Sequence, residues 1–176
     1  MSNTPTAHQI IQQLGLTPHI EGGHFKETYR AHDQVTNPTR YKSPRAAATH
    51  IYHLLSGNEV STWHKVHTTE IWHHYEGTST TLIYILNHDG SLSSLKLGKI
   101  ANGAQPHIFI PAQHWFAAEL ERSSAEGYAL MGCTVAPGFE YEDFLLAEPQ
   151  ELMQQYPAHT ATIQRLARRA HAAQPA

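Results

Sequence analysis

Between residues 49 and 144 the chain is interrupted by turn signals at short intervals: Gly57-Asn58, Glu76-Gly77, Asp89-Gly90, Asn102-Gly103, Pro111, Glu126-Gly127 and Pro137-Gly138. The runs they separate, residues 51–55, 82–86, 108–110 and 128–135, are short and rich in β-branched, aromatic and leucine side chains. Long crossover helices, which a parallel sheet requires, have no place between them. The pattern therefore predicts an all-β domain, a jelly-roll sandwich or barrel. Asp89-Gly90, set between residues 83–86 and the alternating Leu92, Leu95 and Leu97, predicts a hairpin.

Helices are predicted only at the ends. Thr6 and Gln9 make a capping box, Ile10, Ile11 and Leu14 share a helical face, and Gly15 supplies a stop, giving a helix over residues 6–14. Pro149 opens a short helix that Pro157 ends, and residues 160–172 read as a final helix. Residues 24–30, opened by Gly22-Gly23, read as a strand with Phe25, Glu27 and Tyr29 on one face and Lys26, Thr28 and Arg30 on the other. Residues 33–44 form a polar, proline-punctuated loop, long enough for a lid or arm. The whole chain, 1–176, reads as one domain with a core over about 20–146 and flanking helices at 6–14 and about 149–172.

Composition narrows the partners. With 40% hydrophobic and 15% charged residues the chain reads as globular, and no apolar run approaches the roughly 18 residues that span a bilayer. The N-terminus has no basic patch followed by an apolar core, and the one cysteine, Cys133, cannot form an intrachain disulfide, so a cytoplasmic protein is predicted. Cys133 reads as a small buried hydrophobe. The net charge is −3, and the one basic cluster, Arg165, Arg168 and Arg169, suits the last turns of a helix. Neither nucleic acid nor membrane is a predicted partner.

Fifteen histidines point to metal or proton chemistry, and they are dense only over residues 64–74. A helix would put His64, His67 and His74 roughly on one face; the aromatic and β-branched content and the Gly77 stop favour a strand. On a strand, Glu70, Trp72 and His74 share one face and Ile71, His73 and Tyr75 the other. A carboxylate beside a tryptophan and an imidazole suits the inside of a barrel that holds a ligand, because a buried charge needs a partner.

These residues resemble the first motif of the cupin superfamily: Glu70 and Gly77 match its closing half, and His64 fits its first histidine. More specifically, the chain resembles the cupin subfamily known as DUF985, or cupin 5. The resemblance is carried by residues 21–30 (Glu-Gly-Gly-His-Phe-Lys-Glu-Thr-Tyr-Arg), Ile51-Tyr52-His53-Leu54-Leu55 and Glu70-Ile71-Trp72-His73. Ile110-Pro111-Ala112 followed by Trp115, and residues 132–139, complete it. It implies a jelly-roll fold and a homodimer. Departures from the general cupin pattern bear on metal binding. Val66 falls where a second metal histidine would stand, and Phe116 falls where the last one would. His64 and Glu70 remain as ligand candidates, with a third to come from His67, His74 or His114, for a divalent zinc, nickel, iron or manganese ion.

Without metal, the same face suits proton transfer next to a carbonyl, since burial and proximity push pKa values apart. On this reading His64 and Glu70 are the candidate catalytic residues, and Glu27, Tyr29, Trp72, His74, Phe116 and Tyr141 line the ligand pocket. Metal-free epimerase cupins, similar in fold, add a tyrosine acid, here Tyr29, Tyr75 or Tyr141. Glu27 and Arg30 could clamp an anionic or sugar-like ligand. The expected activity is that of an isomerase or epimerase on a polar, carbohydrate-like or carbonyl compound. A metal-dependent, oxygenase-type cupin and a non-catalytic binding or storage-like module are the alternatives, and in a purely structural role His64 and Glu70 would hydrogen-bond each other at the barrel mouth.

Overall fold

A computed structural model describes residues 4–37, 39–121 and 126–167. Along it lie α1 (Ala7–Leu14), β1 (Thr17–Pro18), β2 (His24–Arg30), β3 (Gln34–Val35), β4 (Arg45–Ala46), β5 (Thr49–Ser56) and β6 (Val60–Val66). There follow β7 (Glu70–Gly77), β8 (Thr81–Leu86), β9 (Leu92–Leu97), β10 (His107–Ile110), β11 (Trp115–Leu120), β12 (Tyr128–Val135), β13 (Phe144–Leu146), α2 (Pro149–Gln155) and α3 (Thr160–Ala167). Six of the seven turn signals fall between strands, Glu76-Gly77 instead forms the end of β7, and Asp89-Gly90 joins the antiparallel pair β8 and β9. One sheet has the order β1-β2-β5-β12-β7-β10 and a second the order β13-β6-β11-β8-β9; β3 and β4 pair separately.

The two larger sheets bury their facing sides against each other. Leu55, Trp72, Ile108, Ile110, Met131 and Cys133 from the first meet Val66, Ile83, Ile85, Leu97 and Phe116 from the second. Alternation along β7 is the reason: Glu70 and Trp72 are buried while Ile71, His73 and Tyr75 are not. The helices close the remaining apolar surface. α1 covers Leu54, Tyr128 and Leu130 with Ile10, and α2 and α3 cover Trp63, Leu86 and Ala117 with Leu152, Ile163 and Leu166. The capping box forms as the sequence predicts: the Gln9 amide donates to Thr6 Oγ1, the Thr6 amide donates to the Gln9 side chain, and Gly15 ends the helix at φ 64°. The final helix is described to Ala167; its expected continuation, with Arg168 and Arg169, lies outside the described residues. No helix among the described residues is long and apolar enough to cross a membrane.

Two expectations are revised. Alternation in β2 does not run unbroken: the pairing with β5 shifts register between Glu27 and Tyr29. This β-bulge turns Arg30 to the side of Phe25 and Glu27, and all three line one pocket while Tyr29 faces outward, 57% exposed. In the loop predicted to be a lid or arm, Arg40 and Ser43 are bonded to the body of the protein. Arg45, 1% exposed, donates from Nε and Nη2 to the two Asp143 oxygens at 2.6 and 3.0 Å and from Nη1 to the Ser43 carbonyl at 2.7 Å. Arg40 donates to the His67 carbonyl at 2.9 Å.

Candidate functional site

At one end of the sandwich the two sheets part around a pocket of about 100 Å³. Its floor is formed by Glu21, His64, Glu70 and Cys133, all buried, and its rim by Glu27, Arg30, Glu140 and Tyr141, all substantially exposed. Phe25, Phe139 and Phe144 supply apolar wall.

Glu21 reaches the floor because of the two glycines that follow it. The segment before β2 folds back in a tight turn, in which the Gly22 amide donates to the His19 carbonyl and the His19 amide to the Gly23 carbonyl. Gly22 has φ 112°, and a Cβ there would stand 2.0 Å from the Val60 carbonyl oxygen. Only glycine permits that approach to β6. The Thr62 amide then donates to the Glu21 carbonyl at 2.9 Å, and the side chain points inward, where the Ser61 hydroxyl donates to Oε1 at 2.8 Å.

Three histidines surround this carboxylate: His64 Nε2 lies 3.2 Å from Oε2, His19 Nδ1 3.5 Å from Oε2, and His53 Nδ1 3.7 Å from Oε1. His64 also places Nδ1 2.7 Å from the Thr62 carbonyl. Both of its ring nitrogens therefore face acceptors, which fixes the ring, yet burial lowers its pKa against the opposing pull of Glu21 and the Thr62 carbonyl. Burial works to raise the Glu21 carboxyl, but His64, His19, His53 and the Ser61 hydroxyl together hold it down to about 2. Burial lowers His19 to about 4 against the opposing pull of Glu21, so that imidazole is neutral near pH 7. Glu70 is driven the other way: burial, reinforced by the Glu21 charge, pushes it up to about 8. Burial also raises the Cys133 thiol, with the neighbouring Glu70 and Glu21 adding to the effect, so it is no thiolate.

Of the residues singled out in the sequence, the pocket brings together His64, Glu70, Glu27 and Tyr141. Trp72 and Phe116 sit in the core at 1% and 0% exposure, Phe116 packing on the His64 ring at 4.0 Å between centroids. His74 keeps the predicted face of β7 but lies at another pocket, with Lys99 and Asn102. Tyr75 is on the outer face, its hydroxyl 2.7 Å from His50 Nε2. His19 and Glu21 are pocket residues that were not among the candidates from sequence; the one available signal was a carboxylate directly ahead of Gly22-Gly23.

The donors do not fit the metal centre that the cupin fold raises as an expectation. Both His64 nitrogens face acceptors, Phe116 stands where the cupin resemblance calls for a ligand, and His114 places Nδ1 on the Ala112 carbonyl at 3.0 Å. His67 packs its ring 6.1 Å from Tyr41, away from the pocket residues. Among the described residues, no group of three or more His, Cys, Asp or Glu side chains is placed to hold one ion.

A family profile described as "Cupin superfamily (DUF985)" matches residues 8–147. The chain belongs to the DUF985 family of cupins. No curated protein matches the sequence. Among solved structures, protein SO0799 from Shewanella oneidensis is similar at 32% identity, covering 94% of this chain and 99% of that one with a TM-score of 0.83. A hypothetical protein from Leishmania major is 28% identical, covering 93% of this chain and 99% of that one, with a TM-score of 0.82. Oxalate decarboxylase from Bacillus subtilis is 11% identical over 85% of this DUF985 cupin and 36% of that chain, with a TM-score of 0.53, a likeness of fold alone.

Proposed function

We propose that this cupin binds a small polar molecule in the Glu21–His64–Glu70 pocket and moves a proton on it, as an isomerase or epimerase of a carbohydrate-like or carbonyl compound. One observation carries the reading: two carboxyls in a single enclosed pocket are driven apart, Glu21 to about 2 and Glu70 to about 8. Separated acid and base strengths of this kind let one site run proton transfer near neutral pH. Glu70 is the group that gains and loses the proton, since its pKa lies near the working pH. The Glu21 carboxylate, with His64 Nε2 3.2 Å away, supplies the fixed charge beside it. Neutral His19, edge-on to Phe25 at 4.3 Å, completes the polar floor.

Exchange of carbon-bound hydrogen tests this. Sugars and carbonyl compounds incubated with the protein in deuterated buffer are expected to show enzyme-dependent loss of the proton next to the carbonyl by NMR. Glu70→Gln and His64→Ala are expected to slow exchange by about a hundredfold or more. Exchange that survives both changes would remove the pocket from the reaction.

We also propose that the protein is a homodimer, with the outer face of the larger sheet as contact. Tyr29, Tyr75 and Phe109 are exposed on that face, around His50 and Tyr52. Sedimentation is expected to give twice the chain mass, and Tyr75→Glu to shift it to the monomer. A wild-type profile of monomer alone ends the proposal.

A further inference from the structure

The charges around the pocket carry information about what enters it. Arg30 is the one guanidinium or ammonium group among its lining residues, and four of its five N–H donors are already engaged. Nε and Nη2 grip the Glu27 carboxylate at 3.0 and 2.8 Å, Nη1 holds Glu140 Oε1 at 2.6 Å, and Nη2 also reaches the Phe139 carbonyl at 3.2 Å. The sequence offers Glu27 and Arg30 as a clamp for an anionic or sugar-like ligand. In the folded protein the glutamates hold the arginine instead.

Counting what remains, the carboxylates of Glu21, Glu27 and Glu140 face one guanidinium, while burial drives the lining imidazoles of His19 and His64 toward the neutral form. The pocket is thus negative before any ligand arrives. Glu70 stands 7% exposed on its floor with no cationic side chain paired to it among the described residues, a buried carboxyl turned toward the ligand space. Glu140 keeps Oε2 free of the arginine, and a carboxylate has lone pairs for several donors. Around these oxygens stand aromatic rings: Phe139, Tyr141 and Phe144 meet one another nearly edge to face, with centroids 5.2, 6.0 and 6.4 Å apart. Carboxylates interleaved with aromatic faces attract an ammonium twice over, by charge-assisted hydrogen bonds and by the ring quadrupoles. An anion would meet repulsion from the same groups with no free cation to offset it.

We propose that the pocket selects a small organic cation, an amine-bearing polyol or amino-carbonyl compound, over its neutral and anionic relatives. This rests on the proposed function in taking the same pocket as the ligand site, and it adds the charge of the substrate. The ammonium is held at the rim, between Glu140, Glu27 and Tyr141. The reacting carbon lies below it, toward Glu70 and the Glu21–His64 pair. A volume of about 100 Å³ suits a body of a few heavy atoms with a longer substituent leaving through the rim.

Three probes of one skeleton separate charge from shape: 3-aminopropane-1,2-diol, glycerol and glycerate, which are cationic, neutral and anionic at neutral pH. Each is titrated into the full chain at low salt while backbone amide NMR shifts of the pocket residues are followed. The aminodiol is expected to bind at least about tenfold more tightly than glycerol, with glycerate weakest. Glu140→Gln is expected to remove most of that preference. In Glu27→Gln, the released Arg30 is expected to turn preference toward glycerate. Both glutamates are substantially exposed, so these variants are expected to fold, which the same spectra report. Equal binding of glycerol, or tighter binding of glycerate, at the pocket residues of the wild type overturns the cation and leaves the pocket as a ligand site. A preference untouched by both variants likewise overturns it. Failure of all three probes to shift the pocket residues overturns both the cation and the proposed function.

Discussion

Replacing Arg45 by alanine is expected to cost about 3–5 kcal/mol of folding stability, because it strands partners of a buried ion pair. The guanidinium is 1% exposed and sits 5.1 Å above the Tyr41 ring. Its pKa is raised, first by the hydrogen bonds to Asp143 and then by the charges of Asp143 and Glu142, which outweigh burial. Removing it leaves Asp143, whose side chain is 11% exposed, without its bidentate partner and frees the Ser43 carbonyl. The effect reaches the pocket, because Asp143 closes the turn Tyr141–Asp143 that carries Tyr141 and follows Glu140. Urea unfolding measures the first effect and probe affinity the second. The double replacement Arg45→Met with Asp143→Leu is expected to recover a large part of the loss, since two well-packed apolar side chains do not carry the desolvation penalty of a broken pair. A single-variant loss below about 1 kcal/mol would show that the network is only surface decoration.

The same residues show how far the sequence could be read. The antiparallel sandwich was legible because turn signals and side-chain alternation are local properties, and strand-by-strand burial in β7 follows them. What failed to show was anything set by pairing across the sheet. The bulge in β2 depends on register against β5, and it is the bulge that brings Arg30 beside Glu27. Glu21 was hidden for a similar reason: its inward turn depends on Gly22 meeting the Val60 carbonyl, a contact between segments far apart in sequence. His74 illustrates a different limit. Alternation gives the face of a strand but not the depth along it, and four residues of strand carry His74 about 13 Å from Glu70. Trp72 and Phe116 fill the barrel between the two ends. That His64 and Glu70 come to one pocket could be expected from the sequence; that Glu21 joins them there could not.

Glu70 has the second large expected effect, and it appears as a dependence of stability on pH. Its carboxyl lies at about 8 in the folded protein against an ordinary 4.5. Between those values the folded state holds a proton that the unfolded chain has lost, so this group's contribution is complete below about pH 4.5 and is lost as the pH rises through about 8. The slope is about 1.4 kcal/mol per pH unit. The histidines act in the opposite sense: burial lowers His19, His64, His50, His73 and His74 from 6.5, so their contribution is lost as the pH falls below that value. Glu21, held down to about 2, loses its own contribution only in stronger acid. Stability is therefore expected to be greatest near pH 6 to 6.5 and to decline toward 8, where Glu70 is the remaining buried carboxyl still titrating. Glu70→Gln mimics the protonated side chain and removes the titration. Urea unfolding at half-unit steps is expected to show variant and wild type nearly equal in mild acid. The variant should then gain steadily, by several kcal/mol at pH 8. Parallel curves would place Glu70 in contact with water or a cation, and the opposed carboxyls on which proton transfer in this pocket rests would be gone.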